Sequence, residues 1–332
     1  MASTRILLDP WPAEYESPIQ IGDPGESDED VCDVDTAVEA CAWEPIAPAR
    51  QPRPEPIYFV DGVRRVEARI ILDDQSGRLI RGLFGSVAVG AVRVEAKHAE
   101  FDEIRVMRHI VTGSGASTDA QSVEIGSRPG AGDRPGELVF QPHSTAETDP
   151  AAPLRALQNL MRTYEAYLAE MLASRSECVF ADGPLSYFVS VNLPAIGIVK
   201  RLFKPYLPLD KFGLVARLQA GQRTPLFAIT DGKYDRYSWY LRVARPRALD
   251  HAISGVVRLE VRAGVGISTA RAFANVSAAC IPAFVADPFR DPRSPQNLLP
   301  VGALERELRH RLGDPLAIRR AIEKSLFRMS EA

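Results

Sequence analysis

The sequence predicts an α/β protein in which helices flank a mixed β-sheet. Apolar segments rich in Val, Ile and Phe follow one another across short turn-like links and then alternate with helical segments. An order of strands, helix, strand, helix, strands and helix is typical of such a sheet. With 332 residues, 45% of them hydrophobic and 25% charged, the composition is globular, and fibrous or wholly disordered chains are excluded.

The beginning of the chain predicts a disordered acidic leader over residues 1–54. Residues 1–56 contain 13 acidic and 3 basic residues together with 9 of the 26 prolines. Such a segment buries too little apolar surface to offset the entropy of ordering it. Because the formal net charge of the whole chain is −3, residues 57–332 carry +7. We therefore expect an acidic leader followed by a basic domain over residues 55–328.

The first half of this domain is predicted to be a β-meander followed by a long helix. Strand signals at residues 57–61, 63–72 and 83–95 have short links between them, which indicates antiparallel neighbours. Residues 112–152 are crowded with Gly, Ser and Pro and predict a flexible insertion. Residues 153–176 carry apolar side chains at helical spacing, so a long helix is expected there.

The second half of the domain is predicted to return to the sheet. A strand is expected at residues 178–182, and IGIVKRLFKPYL after Pro194 predicts a helix with Lys200, Arg201 and Lys204 on its basic side. The strands that follow are expected at residues 225–230, 236–244 and 255–263. The final segment predicts helices separated by a Gly-Asp-Pro break.

Compartment is inferred from the cysteines and from hydropathy. The four cysteines form neither a CxxC pair nor a zinc-binding pattern, which favours a reducing cytoplasm. The first residues lack the basic start and apolar core of a signal peptide. No window approaches the roughly 18 apolar residues that a membrane span needs. We therefore expect a soluble cytoplasmic protein with no membrane partner.

Two aspartates end otherwise apolar strands, Asp61 in FVDG and Asp182 in FADG. If these strands are parallel neighbours, both carboxylates meet at one edge of the sheet, where paired oxygen ligands suit Mg²⁺ or Mn²⁺. Asp-Gly is also typical of a tight turn, so each motif taken alone leaves both interpretations open. For Asp231 in ITDG, the flanking strand signals predict a hairpin turn.

The long helix supplies a third acid. On a helical wheel Glu165 borders the apolar face of this helix, whereas Glu170 points to solvent. A carboxylate at that border can reach the ends of the strands. The alternative is a partly exposed glutamate paired with Arg162 or with an arginine of the sheet.

The order of these motifs resembles the ribonuclease H-like nucleases and, more closely, the NurA nuclease family. IYFVDGVRRVEARI is similar to the opening strand of that family, ECVFADGPLS to its second Asp-Gly strand, and PAIGIVKRL to its helix with a lysine. DPFRDPRSPQNLLPVGALERELR is similar to the carboxy-terminal segment of bacterial members. The resemblance covers roughly residues 55–325 and excludes the leader.

The resemblance implies a site and a cofactor. NurA nucleases are dimeric, use Mn²⁺, resect DNA ends and work with the hexameric HerA ATPase. Carried over to this sequence, the motifs make Asp61, Glu165 and Asp182 the expected metal ligands, with Mn²⁺ or Mg²⁺ as the cofactor. The fourth ligand stays open, because Asn297 stands where archaeal members have a histidine or an acid. The charged alternatives just upstream are Asp291 and Asp287.

The function expected from this resemblance is that of a two-metal deoxyribonuclease acting on DNA ends, in break repair or antiviral defence, with a HerA-type hexamer and as a homodimer. Lys200 is expected to hold the scissile strand or to offset negative charge, unless it is a solvated surface lysine. A non-catalytic adaptor of a HerA-type motor is the alternative, and an enzyme acting on RNA or hybrids is a third. Four aromatic residues either stack on bases or pack within strands: Tyr234, Tyr237, Trp239 and Tyr240.

Overall fold

A computed structural model gives the fold of the chain. It describes residues 5–8, 32–49, 52–73, 78–125, 136–175, 178–202, 205–247, 250–287, 293 and 295–331. Within this part, twelve strands form a mixed sheet and five α-helices pack around it, as the α/β prediction expects. None of the described helices has the length and apolar character needed to cross a membrane.

The strands, in chain order, are β1 (Arg5–Leu8), β2 (Asp33–Asp35), β3 (Ile57–Asp73), β4 (Leu79–Glu95), β5 (His98–Thr112), β6 (Gln121–Glu124), β7 (Glu137–Ser144), β8 (Val179–Asp182), β9 (Ala195–Val199), β10 (Phe227–Thr230), β11 (Arg236–Arg242) and β12 (Val256–Arg262). The α-helices are α1 (Ala152–Ala173), α2 (Leu209–Arg217), α3 (Ile267–Cys280), α4 (Leu299–Arg311) and α5 (Pro315–Glu331). Two short 3-10 helices flank α3, at Ala263–Val265 and Ile281–Phe284.

The strands are ordered β2-β10-β11-β12-β9-β8-β3-β4-β5-β7-β6 across the sheet, and β1 also pairs with β3. β3, β4 and β5 form an antiparallel meander, and β8 and β9 continue the sheet parallel to β3. β12, β11, β10 and β2 then extend it with antiparallel pairing. The meander with two added parallel strands is the part of the sheet that carries the candidate site.

Both faces of the central strands are buried. On one face, Phe59 and Phe180 pack with Leu304 and Leu308 of α4 and with residues of α3. On the other face, Val60 packs with residues of α1. Because successive side chains of a strand point to opposite faces, β3 contributes to both layers. A strand covered on both sides reads as a nearly continuous apolar run, which is why β3 and β8 carry such strong strand signals.

The meander is present, but its strands differ from the predicted ones. The predicted strands at residues 57–61 and 63–72 are a single strand, β3, because Asp61 and Gly62 pair with β4 instead of forming a turn. The third strand is β5, which the sequence did not predict. β5 contains many charged residues, and most of its first ten residues are exposed or half-buried, so its apolar signal is weak.

The helix predicted after Pro194 is wrong. Residues 195–199 form the buried strand β9, which pairs in parallel with β8 and antiparallel to β12. A short apolar run does not by itself distinguish a buried strand from a helix, and a parallel strand covered on both faces needs such a run. Lys200 is therefore the residue that follows a strand end.

The predicted flexible insertion contributes to the sheet. β6 and β7 lie within residues 112–152, and β7 pairs in parallel with β5. Val123, Leu138 and Phe140 are buried in a third apolar cluster against α5. Residues 126–135 lie outside the described part, so the expectation of flexibility is not addressed there.

The described parts of the predicted leader also belong to the folded domain. β1 pairs with β3, and β2 pairs with β10 at the far end of the sheet. Glu39 is buried, forms an ion pair of 2.8 Å with buried Arg223, and accepts a hydrogen bond of 2.7 Å from the backbone N–H of Leu226. These contacts join residues far apart in sequence, so local composition could not reveal them. Residues 9–31, which hold most of the leader's acids, lie outside the described part.

The Glu39 contact generates a stability prediction. Burial raises the pKa of Glu39, but the hydrogen bonds from Arg223 and Leu226 outweigh burial and hold the pKa below its ordinary value of 4.5. The ionised carboxylate therefore stabilises the fold at neutral pH, and this contribution is lost as the pH falls through the lowered pKa. Glu39→Gln leaves Arg223 buried without its charge partner, so we expect the free energy of unfolding to fall by about 3 kcal/mol.

Urea unfolding of the full chain at pH 7 measures this change. Glu44→Gln is the matched control, because Glu44 is an exposed glutamate of the same segment, and its effect should stay within about 0.5 kcal/mol. Equal stability of the two variants would show that this segment does not stabilise the domain.

Candidate metal centre

The parallel pairing of β3 with β8 brings Asp61 and Asp182 together. Phe59 lies opposite Phe180 and Val60 opposite Ala181, and the two phenylalanine rings stack with centroids 5.4 Å apart. Asp61 and Asp182 are the next residues on their strands. The condition on which the sequence argument rested, that the two strands are parallel neighbours, is therefore met.

A third carboxylate joins them from α4, and it is one that the sequence reasoning missed. One oxygen each of Asp61, Asp182 and Glu305 lies within 4.8 Å of the others. Glu305 is buried because it follows Val301 by four residues and precedes Leu308 by three, which puts it on the apolar face of the helix. The helical-wheel argument applied to Glu165 selects Glu305 equally well once α4 is considered.

Glu165 approaches the same place from α1, on the other face of the sheet. A Cβ atom added to Gly62 would lie 2.5 Å from Glu165 Oε1, so the glycine leaves the space that this carboxylate occupies. Glu165 is buried and also forms the ion pair with Arg162, at 2.9 Å, that the alternative interpretation expected. It lies outside the group of three, yet its charge contributes to the electrostatics of Asp61.

Lys200 connects two of the predicted residues. Its Nζ lies 2.7 Å from Asp182 Oδ1 and donates a hydrogen bond of 2.8 Å to Asn297 Oδ1. Asn297 is buried, and the amide oxygen that was expected to bind a metal accepts this bond instead. The structure thus places Asn297 against Lys200 and brings Glu305 to the two aspartates. Of the charged alternatives, Asp287 is exposed and Asp291 lies outside the described residues.

The electrostatics of the group centre on Asp61. Burial raises the pKa of Asp61 well above its usual range, the charges of Asp182 and Glu165 raise it further, and Lys200 acts in the opposite direction. Asp61 Oδ1 accepts a hydrogen bond of 2.8 Å from the backbone N–H of Gly62. Its Oδ2 is buried with no hydrogen-bond partner in the described part of the chain. Concentrated carboxylates with a buried oxygen left over fit a hard divalent cation, which such oxygens bind.

Basic side chains offset part of this negative charge. Besides Lys200, Arg293 forms an ion pair of 2.6 Å with Glu305, and Arg309 lies 3.4 Å from it. Arg162 donates hydrogen bonds to Glu165 and, at 3.1 Å, to the backbone oxygen of Asp182. These positive charges therefore help to hold the carboxylates close together in the folded protein, although the carboxylates repel one another.

The remaining candidate residues have structural roles. Asp231 Oδ1 accepts hydrogen bonds from the N–H groups of Lys233 and Tyr234 in the turn between antiparallel β10 and β11, which confirms the predicted hairpin. Tyr234, Trp239 and Tyr240 are buried, and Trp239 donates a hydrogen bond to Ser277 of α3. These three rings pack within the domain, as one of the two interpretations expected.

Comparisons with known proteins identify the fold. No family model matches the sequence, and no curated protein matches it. Among solved structures, the NurA nuclease from Sulfolobus solfataricus matches with a TM-score of 0.50 and 11% identity, over 86% of this chain and 88% of that one. The catalytic domain of human endonuclease V matches with a TM-score of 0.36 and 14% identity, over 85% of this chain and 94% of that one.

A third similar structure, of NurA with manganese, covers 47% of this chain and 25% of that one, with 17% identity and a TM-score of 0.19. The first match shows the fold, whereas the chains superpose poorly at the two lower scores. The resemblance inferred from the sequence motifs is thereby confirmed at the level of fold. The chain has a NurA-like fold, a ribonuclease H-like mixed sheet flanked by helices.

Proposed function

We propose that the protein is a divalent-metal-dependent deoxyribonuclease. The observation that carries the proposal is the meeting of Asp61, Asp182 and Glu305, from two strands and a helix, at the carboxyl end of β8, where it lies parallel to β3. Ligands bind beyond the carboxyl ends of parallel strands in open α/β sheets. The NurA-like fold supports the choice of phosphodiester hydrolysis among reactions that use a carboxylate-bound metal.

The site contains carboxylates that can bind metal ions and the positively charged side chain of Lys200. Asp61, Asp182 and Glu305 would hold one divalent ion, and Glu165 together with Asp61 would hold a second. Mn²⁺ or Mg²⁺ bound there supplies an activated water and stabilisation of the leaving oxygen during in-line phosphodiester cleavage. Lys200 Nζ, held between Asp182 and Asn297, would use its remaining N–H to donate a hydrogen bond to an oxygen of the reacting phosphate, and its positive charge would offset the negative charge that develops there. We thus assign Asn297 a positioning role.

The biological setting that we propose is the resection of DNA ends, as a homodimer working with a HerA-type hexameric ATPase, in the cytoplasm. The sequence motifs similar to those of bacterial NurA proteins support it. A non-catalytic adaptor of the same motor is the second candidate, favoured by the asparagine at position 297. The four carboxylates in place favour the enzyme.

Digestion of end-labelled linear DNA tests the proposed activity. With Mn²⁺ or Mg²⁺ we expect degradation that EDTA abolishes, and faster degradation when the HerA-type ATPase and ATP are added. Asp61→Asn should reduce the rate by more than about 100-fold, because it removes a shared ligand. Activity in EDTA would contradict the metal mechanism, and inactivity under every condition with intact ATPase binding would favour the adaptor.

The same variant separates a functional carboxylate from a structural one. Since the fold raises the pKa of Asp61, its ionised form destabilises the metal-free protein at neutral pH. Asp61→Asn should therefore raise the thermal unfolding midpoint in EDTA while it abolishes cleavage. A lower midpoint would mean that Asp61 stabilises the fold.

The proposed role of Glu305 as a metal ligand is tested by comparing two variants of helix α4. Glu305→Gln should lower metal-dependent cleavage by more than about 100-fold and weaken Mn²⁺ binding measured by calorimetry. Glu307→Gln is the matched control, because Glu307 lies on the same helix, two positions after Glu305. Among the described residues, Glu307 forms an ion pair only with Arg311, at 2.7 Å. Its cleavage rate should stay within about twofold of the unaltered protein. Equal effects of the two changes would remove Glu305 from the site.

The role of Lys200 is tested together with Asn297. Lys200→Ala should lower kcat by roughly 100-fold with little change in KM, because the lysine acts on charge that develops during the reaction. Asn297→Ala should lower kcat less, and should have no further effect in a Lys200→Ala background if Asn297 acts only through Lys200. Additive losses would show that Asn297 has an independent role.

A further inference from the structure

An open edge of β3 begins at the carboxylates. β8 pairs with β3 only as far as Val60, and β1 joins the same strand from Ile70 onward. Between these points, residues 61–69 have no strand partner on that side within the described part of the chain. This stretch begins at Asp61, beside the candidate metal centre.

Helix α1 covers one face of this part of the sheet and runs in the opposite direction to β3. Glu165 contacts Gly62, and Gln158, two turns earlier in the helix, accepts a hydrogen bond of 2.5 Å from Arg64 Nε. Further along, Arg69 and Leu154 line one cleft near the start of α1. A second cleft, lined by Arg162, Glu165 and Asp182, lies at the carboxylate end of the same junction. We call the path along β3 and α1 between these two clefts the groove.

Two arginines lie where the groove meets the site, because Arg162 lines the cleft there and Arg64 contacts Gln158, one helical turn before Arg162 on α1. Arg64 is half-buried, its hydrogen-bond partner is the neutral Gln158, and it forms no ion pair with any described residue. Burial lowers the pKa of Arg64, and the positive charge of Arg162 lowers it further. Like charges held together beside a neutral partner are costly unless an anion binds them.

The acid nearest these arginines belongs to the proposed metal centre. Arg162 pairs with Glu165 and with the backbone oxygen of Asp182. If Glu165 also binds a metal ion, its negative charge is divided between the ion and Arg162. It then neutralises less of the positive charge of Arg162. The pair Arg64 and Arg162 is then left with an excess of positive charge at the mouth of the groove.

We propose that Arg64 and Arg162 form a phosphate-binding site that holds the DNA backbone next to the scissile bond. This inference rests on the proposed nuclease function and names the path of its substrate. Planar guanidinium groups bind phosphate oxygens in a bidentate manner, and two of them fix both the position and the direction of a strand. Arg81, exposed in the cleft that contains Arg69, continues the basic path.

Binding measurements without cleavage test the site. Fluorescence anisotropy with a labelled single-stranded oligothymidine, in EDTA, gives the affinity of the full chain across a series of salt concentrations. Arg64→Gln should weaken binding about tenfold at low salt and make the slope of log K against log salt shallower by about 0.7, the value for one phosphate contact on a single strand. Arg64→Lys should restore that slope but not the full affinity. Lysine keeps the positive charge but cannot form the bidentate hydrogen bonds of a guanidinium group.

Arg217→Ala is the matched control, since Arg217 is an exposed arginine on α2, at the other end of the sheet, and should leave the slope unchanged. An unchanged slope in Arg64→Gln would overturn the phosphate site even if cleavage falls, because the arginine would then act through the fold. Normal Arg64-dependent binding by a protein that cleaves no DNA with any metal would support the phosphate site and count against the proposed nuclease.

Discussion

The parallel pairing of β3 with β8 is the contact on which the site depends. Phe59 and Phe180 face each other across the two strands, stack, and pack against the layer that contains α4. A slip of one residue in this register would turn Asp61 or Asp182 to the opposite face. The apolar pairs therefore do more than stabilise the sheet, because they determine that both carboxylates emerge beside Glu305.

The short length of β8 has two consequences at once. Because β8 ends at Asp182, the carboxylate of Asp182 lies beside residues from β3 and α4, and β3 continues beyond it with no strand partner on that side among the described residues up to Ile70. From the opposite face of the sheet, Glu165 of α1 lies against Gly62, the next residue of β3. The proposed metal centre and the proposed strand path are thus products of one structural feature, a strand that stops while its neighbour goes on.

The sequence predicted those parts of the site that follow from local periodicity. Alternation along the strands identified Asp61 and Asp182, and helical spacing identified Glu165. Glu305 shares the apolar face of α4 with Val301 and Leu308, so helical spacing could have found it, but the many charged residues of α4 obscure that pattern. β9 was taken for a helix because five apolar residues suit either element. The Glu39–Arg223 pair joins residues 184 positions apart, so no local pattern could predict it.

Two buried acids in this protein have pKa values shifted in opposite directions, although burial raises the pKa of each. Glu39 faces Arg223 and a backbone N–H, and its pKa lies below the usual range. Asp61 faces other carboxylates, and its pKa lies well above that range although Lys200 is close by. The neighbouring charges, favourable at Glu39 and mostly unfavourable at Asp61, contribute to this difference. Raised pKa values of buried acids are frequent at functional sites, where a bound cation or a proton transfer uses the group. The raised pKa of Asp61 is therefore consistent with the proposed metal centre, whereas the lowered pKa of Glu39 fits a carboxylate that stabilises the fold.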